Sequence, residues 1–182
     1  MTVAPGSARL RGWLATVPAF KVNVTPRDDH EDSGGNAAEL PQDRENLVMD
    51  SVSYLNPAQL HSNPAFTQAV RIPAGHDLIV ISGQNSVDKA GLVVSSDLSG
   101  QARQALINLQ ACLREANADL DHVVRWSILI KDGAPLYEGF AAFVEIWGQR
   151  PNPPALTVAM VTGFAVTGAL CEIDALAAVP ST

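Results

Sequence analysis

Two acidic residues near the end of the chain have a spacing that acid–base chemistry could use. Glu172 and Asp174 alternate with apolar neighbours in the segment CEIDALAAV, so a strand there would place both carboxylates on one face. When two carboxylates share a face, one of them can act as a general base that takes a proton from water. The same pair can instead stabilise an interface between subunits. The residues alone leave both interpretations of Glu172 open, and we expect Asp174 to be structural.

Other groups with chemical potential form no recognisable catalytic or metal-binding pattern. Ser82 ends a short apolar run, and its hydroxyl can hydrogen-bond either a ligand or the backbone. The two cysteines, Cys112 and Cys171, fit no zinc or disulfide spacing, so we interpret them as small buried apolar side chains. The four histidines (His30, His61, His76, His122) show no ligand spacing. We therefore expect neither a metal nor a cofactor.

The charge is concentrated in one polar segment. The net charge is −7, of which seven acidic and two basic residues between Arg27 and Glu45 account for −5. Such a segment buries too little apolar surface to fold, so we interpret 1–48 as an N-terminal extension, mostly disordered, and 49–182 as one domain. The near-neutral domain disfavours nucleic-acid binding. No apolar run is long enough for a membrane span, and no secretory signal is evident. We expect a cytoplasmic protein.

The elements that must position these residues follow from periodicity. The pattern predicts the order β-β-α-β-α-β-β, which locates five strands, and we expect an α+β fold with a mixed six-stranded sheet and two helices on one face. The first two strands should form a hairpin, because a Pro-Ala-Gly turn joins them. The predicted strands are Phe66–Ile72, Leu78–Ser82, Val123–Ile130, Leu156–Val161 and Ala169–Val179, and the predicted helices are 97–116 and Leu136–Trp147.

The first helix has clear ends and an apolar stripe. Ser96 or Asp97 can cap its start, and Asn117 can adopt the left-handed conformation that closes it. The apolar stripe includes Cys112, and the opposite face, which includes Gln101, is expected to face solvent.

Two helices can cover only one face of the sheet. The other face would expose apolar groups, among them Phe66, Leu170 and Leu176. A second copy of the chain is the simplest cover, so burial alone predicts an oligomer.

Several strings in the right order resemble the RidA family, also called YjgF-like. NPAFTQAVRI resembles the family's leader, commonly GPYSQAV, and LIVISGQNSVD resembles its ITSGQIPVD-like strand and turn. The helix-to-strand segment QARQALINLQACLREANADLDHVVRWSILIKD, and PALTVAMV followed by GALCEIDALAAV, resemble later family motifs, including PARxxVxV and EIEAIA. The resemblance covers residues 64–180, and the front extension has no counterpart in the compact members.

The resemblance implies a chorismate-mutase-like homotrimer whose subunit interfaces form small-molecule clefts. Family enzymes hydrolyse reactive imines and enamines to carbonyl products and ammonia without a metal or cofactor. Glu172 matches the family glutamate that orients water, and Ser82 matches a retained pocket serine. Leu156 stands where the family has the arginine that grips the substrate carboxylate, and loss of one partner of such a pair costs about 3–5 kcal/mol.

Three further positions bear on the implied cleft. Phe66 replaces the family's leader tyrosine, and Phe140 replaces a small polar residue in the second helix. With Leu156 they make the implied cleft more apolar. Arg150, six residues before Leu156, would reach the cleft only if the proline-rich loop folded back, and we expect it to be solvated instead.

Three functions remain open from the sequence. The first is a divergent imine or enamine deaminase acting on a less anionic substrate. The second is a trimer that binds a small, largely apolar metabolite without turnover. The third is an interaction or regulatory role of the extension.

Overall fold

The computed structural model describes residues 51–148 and 150–181. The predicted extension, 1–48, and the predicted start of the domain at residue 49 lie outside this part of the chain. Within it, no helix combines the length and the apolar character needed to cross a membrane.

The described residues form an α+β fold built on a mixed sheet, as the sequence predicted. Four strands form the main sheet in the order β3-β6-β4-β5, where β4 and β5 are parallel and the other pairs antiparallel. The strands are β1 (Ser53–Leu55), β2 (Ala69–Arg71), β3 (His76–Gln84), β4 (Val123–Lys131), β5 (Ala155–Val161) and β6 (Cys171–Pro180), and the helices are α1 (Leu98–Glu115) and α2 (Leu136–Trp147).

The distribution of the strands differs from the prediction. There are six described strands, but they form two sheets, because β1 and β2 pair only with each other as a separate antiparallel ribbon. The predicted hairpin between the first two predicted strands, now β2 and β3, is therefore wrong. Thr67, just before β2, donates its N–H to Pro154 O (3.1 Å) and its hydroxyl to Pro153 O (2.5 Å). These bonds hold this segment at the β5 edge of the main sheet, whereas β3 forms the opposite edge.

The helices cover one face of the main sheet through an aromatic cluster. Trp126 of β4 is 1% exposed, and its ring meets Phe143 and Trp147 of α2 edge-on at centroid distances of 5.5 Å. Leu109 of α1 and Ile173 of β6 belong to the same buried cluster. Both helices thus pack on one side of the sheet, and edge-on aromatic contacts fix the position of α2.

The ends of α1 match their predicted signals. Asp97 has an extended backbone, and its carboxylate accepts a hydrogen bond from Gly100 N–H at 2.8 Å. Together with a bond from the Ser95 hydroxyl, this holds the pKa of the Asp97 carboxyl below its ordinary value. At the other end, Asn117 adopts φ 54°, the left-handed conformation that stops the helix.

Two predicted environments on α1 are wrong. Gln101 was expected to face solvent but is 0% exposed. Its side-chain amide donates to Ser95 O (2.8 Å) and Gly168 O (2.9 Å), and its carbonyl accepts from Leu170 N (2.7 Å). These bonds attach the β5–β6 loop to the helix, and they explain the burial of a polar side chain.

Cys112 was expected to be buried but is exposed, whereas Cys171 is buried as expected. Leu109 and Leu113 hold the buried stripe at this end of α1. At 100° per residue, Cys112 lies about 80° to one side of their midpoint.

The face of the sheet opposite the helices is apolar, and none of the described residues covers it. Val80 and Leu78 of β3 are 81% and 55% exposed, beside Leu176 and Ala178 of β6. We call this side of the main sheet the open face. Leu176 lies on it as predicted, but Leu170 packs against the buried cluster around Leu98, and Phe66 precedes β2 outside the main sheet. Oligomerisation through the open face stays a prediction.

Candidate active site

Glu172 lies on the open face near the start of β6. It pairs with Leu129 of β4, whose side chain also points away from the helices, while the flanking Cys171 and Ile173 are buried under them. The alternation that the sequence predicted for this strand thus places the Glu172 carboxylate on the open face. The side chain is half-buried, so it remains accessible to a small ligand.

Asn85 holds one oxygen of the Glu172 carboxylate. Its amide nitrogen Nδ2 donates to Glu172 Oε2 at 3.1 Å and to Cys171 O at 3.1 Å. Asn85 is 8% exposed and follows β3 directly. Sequence reasoning missed this residue, although an amide that interrupts the string after SGQ, where the family string has isoleucine, was an available signal.

Gly83 provides the space in which the carboxylate lies. A Cβ built on Gly83 would lie 2.4 Å from Glu172 Oε1 and 2.5 Å from its Cδ. Any larger residue at this position would displace the carboxylate. The register of β3 against β6 is irregular between Ile81 and Gln84, which is where the backbone passes Glu172.

The charge of Glu172 also acts on its buried neighbour. Burial first, and the charge of Glu172 second, raise the pKa of the Cys171 thiol to about 11. Cys171 is therefore a neutral thiol at physiological pH, and it supplies no nucleophile to the site.

Asp174 lies on the same face as Glu172 but has a cationic partner. Its Oδ1 is 3.6 Å from Nη1 of Arg125 on β4, and both side chains are partly exposed. A partly exposed pair of this kind contributes little to stability, at most about 1 kcal/mol. The contact fits the predicted structural role of Asp174, since its charge is balanced within the protomer.

Ser82 lies beside Gly83 at the same end of the sheet as Glu172. Ile81 before it is buried under the helices, so strand alternation directs Ser82 away from them. Its carbonyl accepts a bond from the Gln84 side chain at 3.0 Å, and the residue is exposed. Of the predicted site residues, Ser82 and Glu172 are therefore brought together on the open face.

The other three predicted site residues lie elsewhere in the protomer. Leu156 pairs with Trp126 and packs against the cluster under the helices. Phe140 lies half-buried on α2, and Phe66 lies half-buried beside Thr67 at the β5 edge. Leu156 is two strands and three residues away from the position of Glu172, roughly 14 Å between Cα atoms, and on the opposite face. A single protomer therefore does not enclose one cleft with all five residues, and their shared role in a site stays a prediction.

Comparison with known proteins identifies the family. The family model described as Endoribonuclease L-PSP matches residues 57–179. The chain belongs to this family. This is the RidA, or YjgF-like, family that the sequence motifs resemble. Among its relatives, the human 2-iminobutanoate/2-iminopropanoate deaminase is 32% identical over 115 residues, which cover 62% of this chain and 78% of the human protein.

Two further comparisons support RidA membership. A mitochondrial protein of Schizosaccharomyces pombe named mmf1 is 29% identical over 133 residues, which are 71% of this chain and 77% of that protein. The crystal structure of YyfB, a Rid family protein of Yersinia pestis, has a TM-score of 0.63 at 26% identity and covers 70% of this chain and 98% of its own. The cytoplasmic location of this chain stays a prediction.

The RidA resemblance predicts that Leu156 stands at the position of the family arginine, so the placement of the neighbouring Arg150 bears on the site. Arg150, the nearest alternative in sequence, donates from Nε to Asp121 Oδ1 at 2.5 Å, and its guanidinium carbon lies 4.6 Å from the centroid of the Trp147 ring. The expectation that it is a solvated loop arginine is therefore wrong, because ion pairing and stacking hold it near the aromatic cluster. It does not replace the family arginine beside Glu172 in this protomer.

Proposed function

We propose that this RidA-family protein hydrolyses small imines or enamines that carry no carboxylate, with Glu172 as the base. The observation that carries the proposal is the held carboxylate: Asn85 engages Oε2, the absence of a side chain at Gly83 makes room for the carboxylate, and Glu172 remains accessible on the open face. Its relatives include proteins named 2-iminobutanoate/2-iminopropanoate deaminase, which supports the reaction class.

The proposed chemistry needs only water and a proton carrier. Oε1 of Glu172 accepts a proton from water as the water oxygen adds to the imine carbon. The proton is then delivered to the nitrogen, which gives a carbinolamine. Its hydroxyl proton passes through the carboxylate to the amine as the C–N bond breaks, and a carbonyl compound and ammonia are released. An enamine first takes a proton at carbon to become the imine. The carboxylate returns to its starting state, as general acid–base catalysis requires.

The restriction to substrates without a carboxylate follows from two arginine side chains, which are already paired with acidic residues. Arg125 lies against Asp174, and Arg150 lies against Asp121. Leu156, at the position of the family arginine, cannot donate to a carboxylate and packs into the core. An anionic substrate near Glu172 would therefore meet a like charge without a bidentate donor to offset it.

The test compares two imines that differ only in the carboxylate. Each is generated in situ by an oxidase, one from alanine and one from ethylamine, and ammonia release is followed with and without the protein. We expect acceleration over buffer for the imine from ethylamine and little for the imine from alanine.

The control variants are matched carboxylate-to-amide changes. Glu172→Gln should lower the acceleration by at least about 10²-fold and leave a measurable residual rate, whereas Asp174→Asn should retain most of it, because Asp174 contacts Arg125 rather than the reacting atoms. Equal rates for wild type and Glu172→Gln with both imines would refute the proposed enzyme activity.

A second candidate function is binding of a small apolar metabolite without turnover. The placement of Leu156 favours it, because an aliphatic side chain stands where the catalytic relatives' motif has a donor. In a thermal-shift screen, stabilisation by neutral apolar ligands without ammonia release would support this function. Absence of stabilisation by any neutral ligand would contradict it.

We also propose that the protein is a homotrimer in which the open face is covered by neighbouring copies. Val80, 81% exposed in the middle of a strand, is the strongest support, since large apolar patches rarely stay wet. Light scattering should give three times the chain mass of 19.2 kDa. Val80→Glu should reduce the mass toward that of one chain, and Val94→Glu, in an exposed loop, should not. A monomeric wild type would refute the assembly.

A further inference from the structure

We propose that Asn85 is the positioning residue of the site, which holds Glu172 in the orientation that leaves Oε1 for water. This inference rests on the proposed function for its kinetic consequences, but the contact itself is independent of it. Nothing in the RidA-like motifs of the chain assigns a role to this position, where the family string has isoleucine.

The hydrogen bonds of Asn85 distinguish the two oxygens of the carboxylate. An amide nitrogen has two protons, and the Asn85 amide directs one to Glu172 Oε2 and one to Cys171 O. The bond to Cys171 O fixes the amide to the backbone of β6, so its second proton has a defined direction. Oε2 is therefore occupied, whereas Oε1 lies against Gly83 and accepts no hydrogen bond from the described residues.

A network from α1 fixes Asn85 in turn. Gln104 donates to Asn108 Oδ1 at 2.8 Å, and Asn108 Nδ2 donates to Asn85 O at 3.0 Å and to Val87 O at 2.9 Å. Three side-chain amides thus connect a regular helix to the carboxylate of Glu172. Groups that orient a catalytic side chain are effective when their own rotamers are fixed by such contacts.

The burial of Asn85 indicates that its amide group is there for its hydrogen bonds rather than for packing. Asn85 is 8% exposed, and an apolar side chain would fill the same place without the cost of desolvating an amide. A leucine or isoleucine there would still pack, but it would leave Glu172 Oε2 without its donor. The position therefore favours orientation of Glu172 over simple packing.

The kinetic test is a double-mutant cycle between Asn85 and Glu172. In the wild type, we expect Asn85→Ile to lower kcat by about 10²-fold while KM changes little, because the carboxylate loses its orientation. In the Glu172→Gln background, the same substitution should cause no further loss, since Asn85 acts through Glu172. Gln84→Leu is the matched control, because among the described residues the Gln84 amide hydrogen-bonds the Ser82 carbonyl and not Glu172, and it should retain wild-type kcat. Equal losses in both backgrounds would overturn the proposal.

A second measurement needs no activity. In ¹⁵N NMR spectra, one of the two side-chain amide proton signals of Asn85 should shift when Glu172 is replaced by alanine, while the other, bonded to Cys171 O, stays in place. Unchanged signals would refute the contact and with it the inference. If the signal shifts but wild type releases no ammonia, the proposed enzyme activity fails while the Asn85–Glu172 contact stands.

Discussion

Replacement of Gly83 by alanine tests whether the position of the Glu172 carboxylate matters separately from the stability of the fold. The new Cβ would lie 2.4 Å from Oε1, 2.5 Å from Cδ and 2.8 Å from Cγ of Glu172. Contacts this short cannot persist, and the flexible end of the Glu172 side chain is the group that can move. We expect it to rotate away from Asn85.

The cost to stability can be worked out from the contacts. Loss of the hydrogen bond from Asn85 to the carboxylate costs about 1.5–3 kcal/mol. The alanine restricts the unfolded chain, which offsets about 0.4–1 kcal/mol, so the net destabilisation should be about 1–2 kcal/mol. The effect on turnover should be larger, since displacement of a reacting group by about 1 Å can lower the rate about 10²-fold.

Gly163→Ala is the matched control, because Gly163 is exposed and a Cβ there would meet nothing within 4 Å. Urea unfolding and ammonia release are measured for both variants at one protein concentration. Gly163→Ala should keep wild-type turnover and wild-type or slightly higher stability. If Gly83→Ala also keeps wild-type turnover, the carboxylate position inferred from the structure is not the catalytic one.

Three further predictions concern the fold around the site. Gln101→Leu, which removes three buried hydrogen bonds, should lower the free energy of unfolding by about 3 kcal/mol in urea titrations. Gln110→Leu, on the same helix, should change it by less than about 0.5 kcal/mol. Equal losses of stability in the two variants would show that the Gln101 hydrogen bonds contribute nothing of their own. At mildly alkaline pH, a thiol reagent should label the exposed Cys112 in the native protein, whereas Cys171, with a pKa of about 11, should react only after unfolding. Mass spectrometry identifies the labelled residue, and equal labelling rates for the two cysteines in the native protein would contradict the burial of Cys171. Because its folded pKa is lowered, the Asp97 carboxylate stabilises the fold above its unfolded pKa of about 4, and this stabilisation is lost as the pH falls through the folded value. Asp97→Ala should therefore lower the thermal midpoint at neutral pH, and its difference from wild type should shrink in acid; a constant difference would exclude the charged cap.

Local signals predicted most of the secondary structure. The alternation of Val123–Lys131 and the cap at Asp97 depend on neighbours in sequence, so periodicity and capping chemistry were sufficient. The pairing partner of β2 was not predictable from such local signals. Thr67 bonds to the carbonyls of Pro153 and Pro154, which lie more than 80 residues later, and this long-range contact separates β2 from β3.

The residues of the candidate site also fall into two groups, those that local sequence signals predicted and those that they did not. Glu172 and Ser82 could be chosen from strand alternation and motif resemblance, and the structure places both at one end of the open face. Asn85 could not be chosen, because its importance comes from three partners that belong to β6 and α1. The environment of Gln101 was wrong for the same reason, since the loop that buries it arrives from a distant part of the chain.

The sequence by itself determined the family, the α+β class, the ends of the helices and the face of β6 that carries Glu172, because each depends on spacing along the chain. Only the tertiary structure decided that Leu156 and Glu172 lie on opposite faces, that Arg150 is bonded to Asp121, and that an asparagine beside β3 holds the carboxylate. Those arrangements depend on strand order and on contacts between distant segments. Periodicity specifies which way a side chain points, but it does not specify which segment it meets.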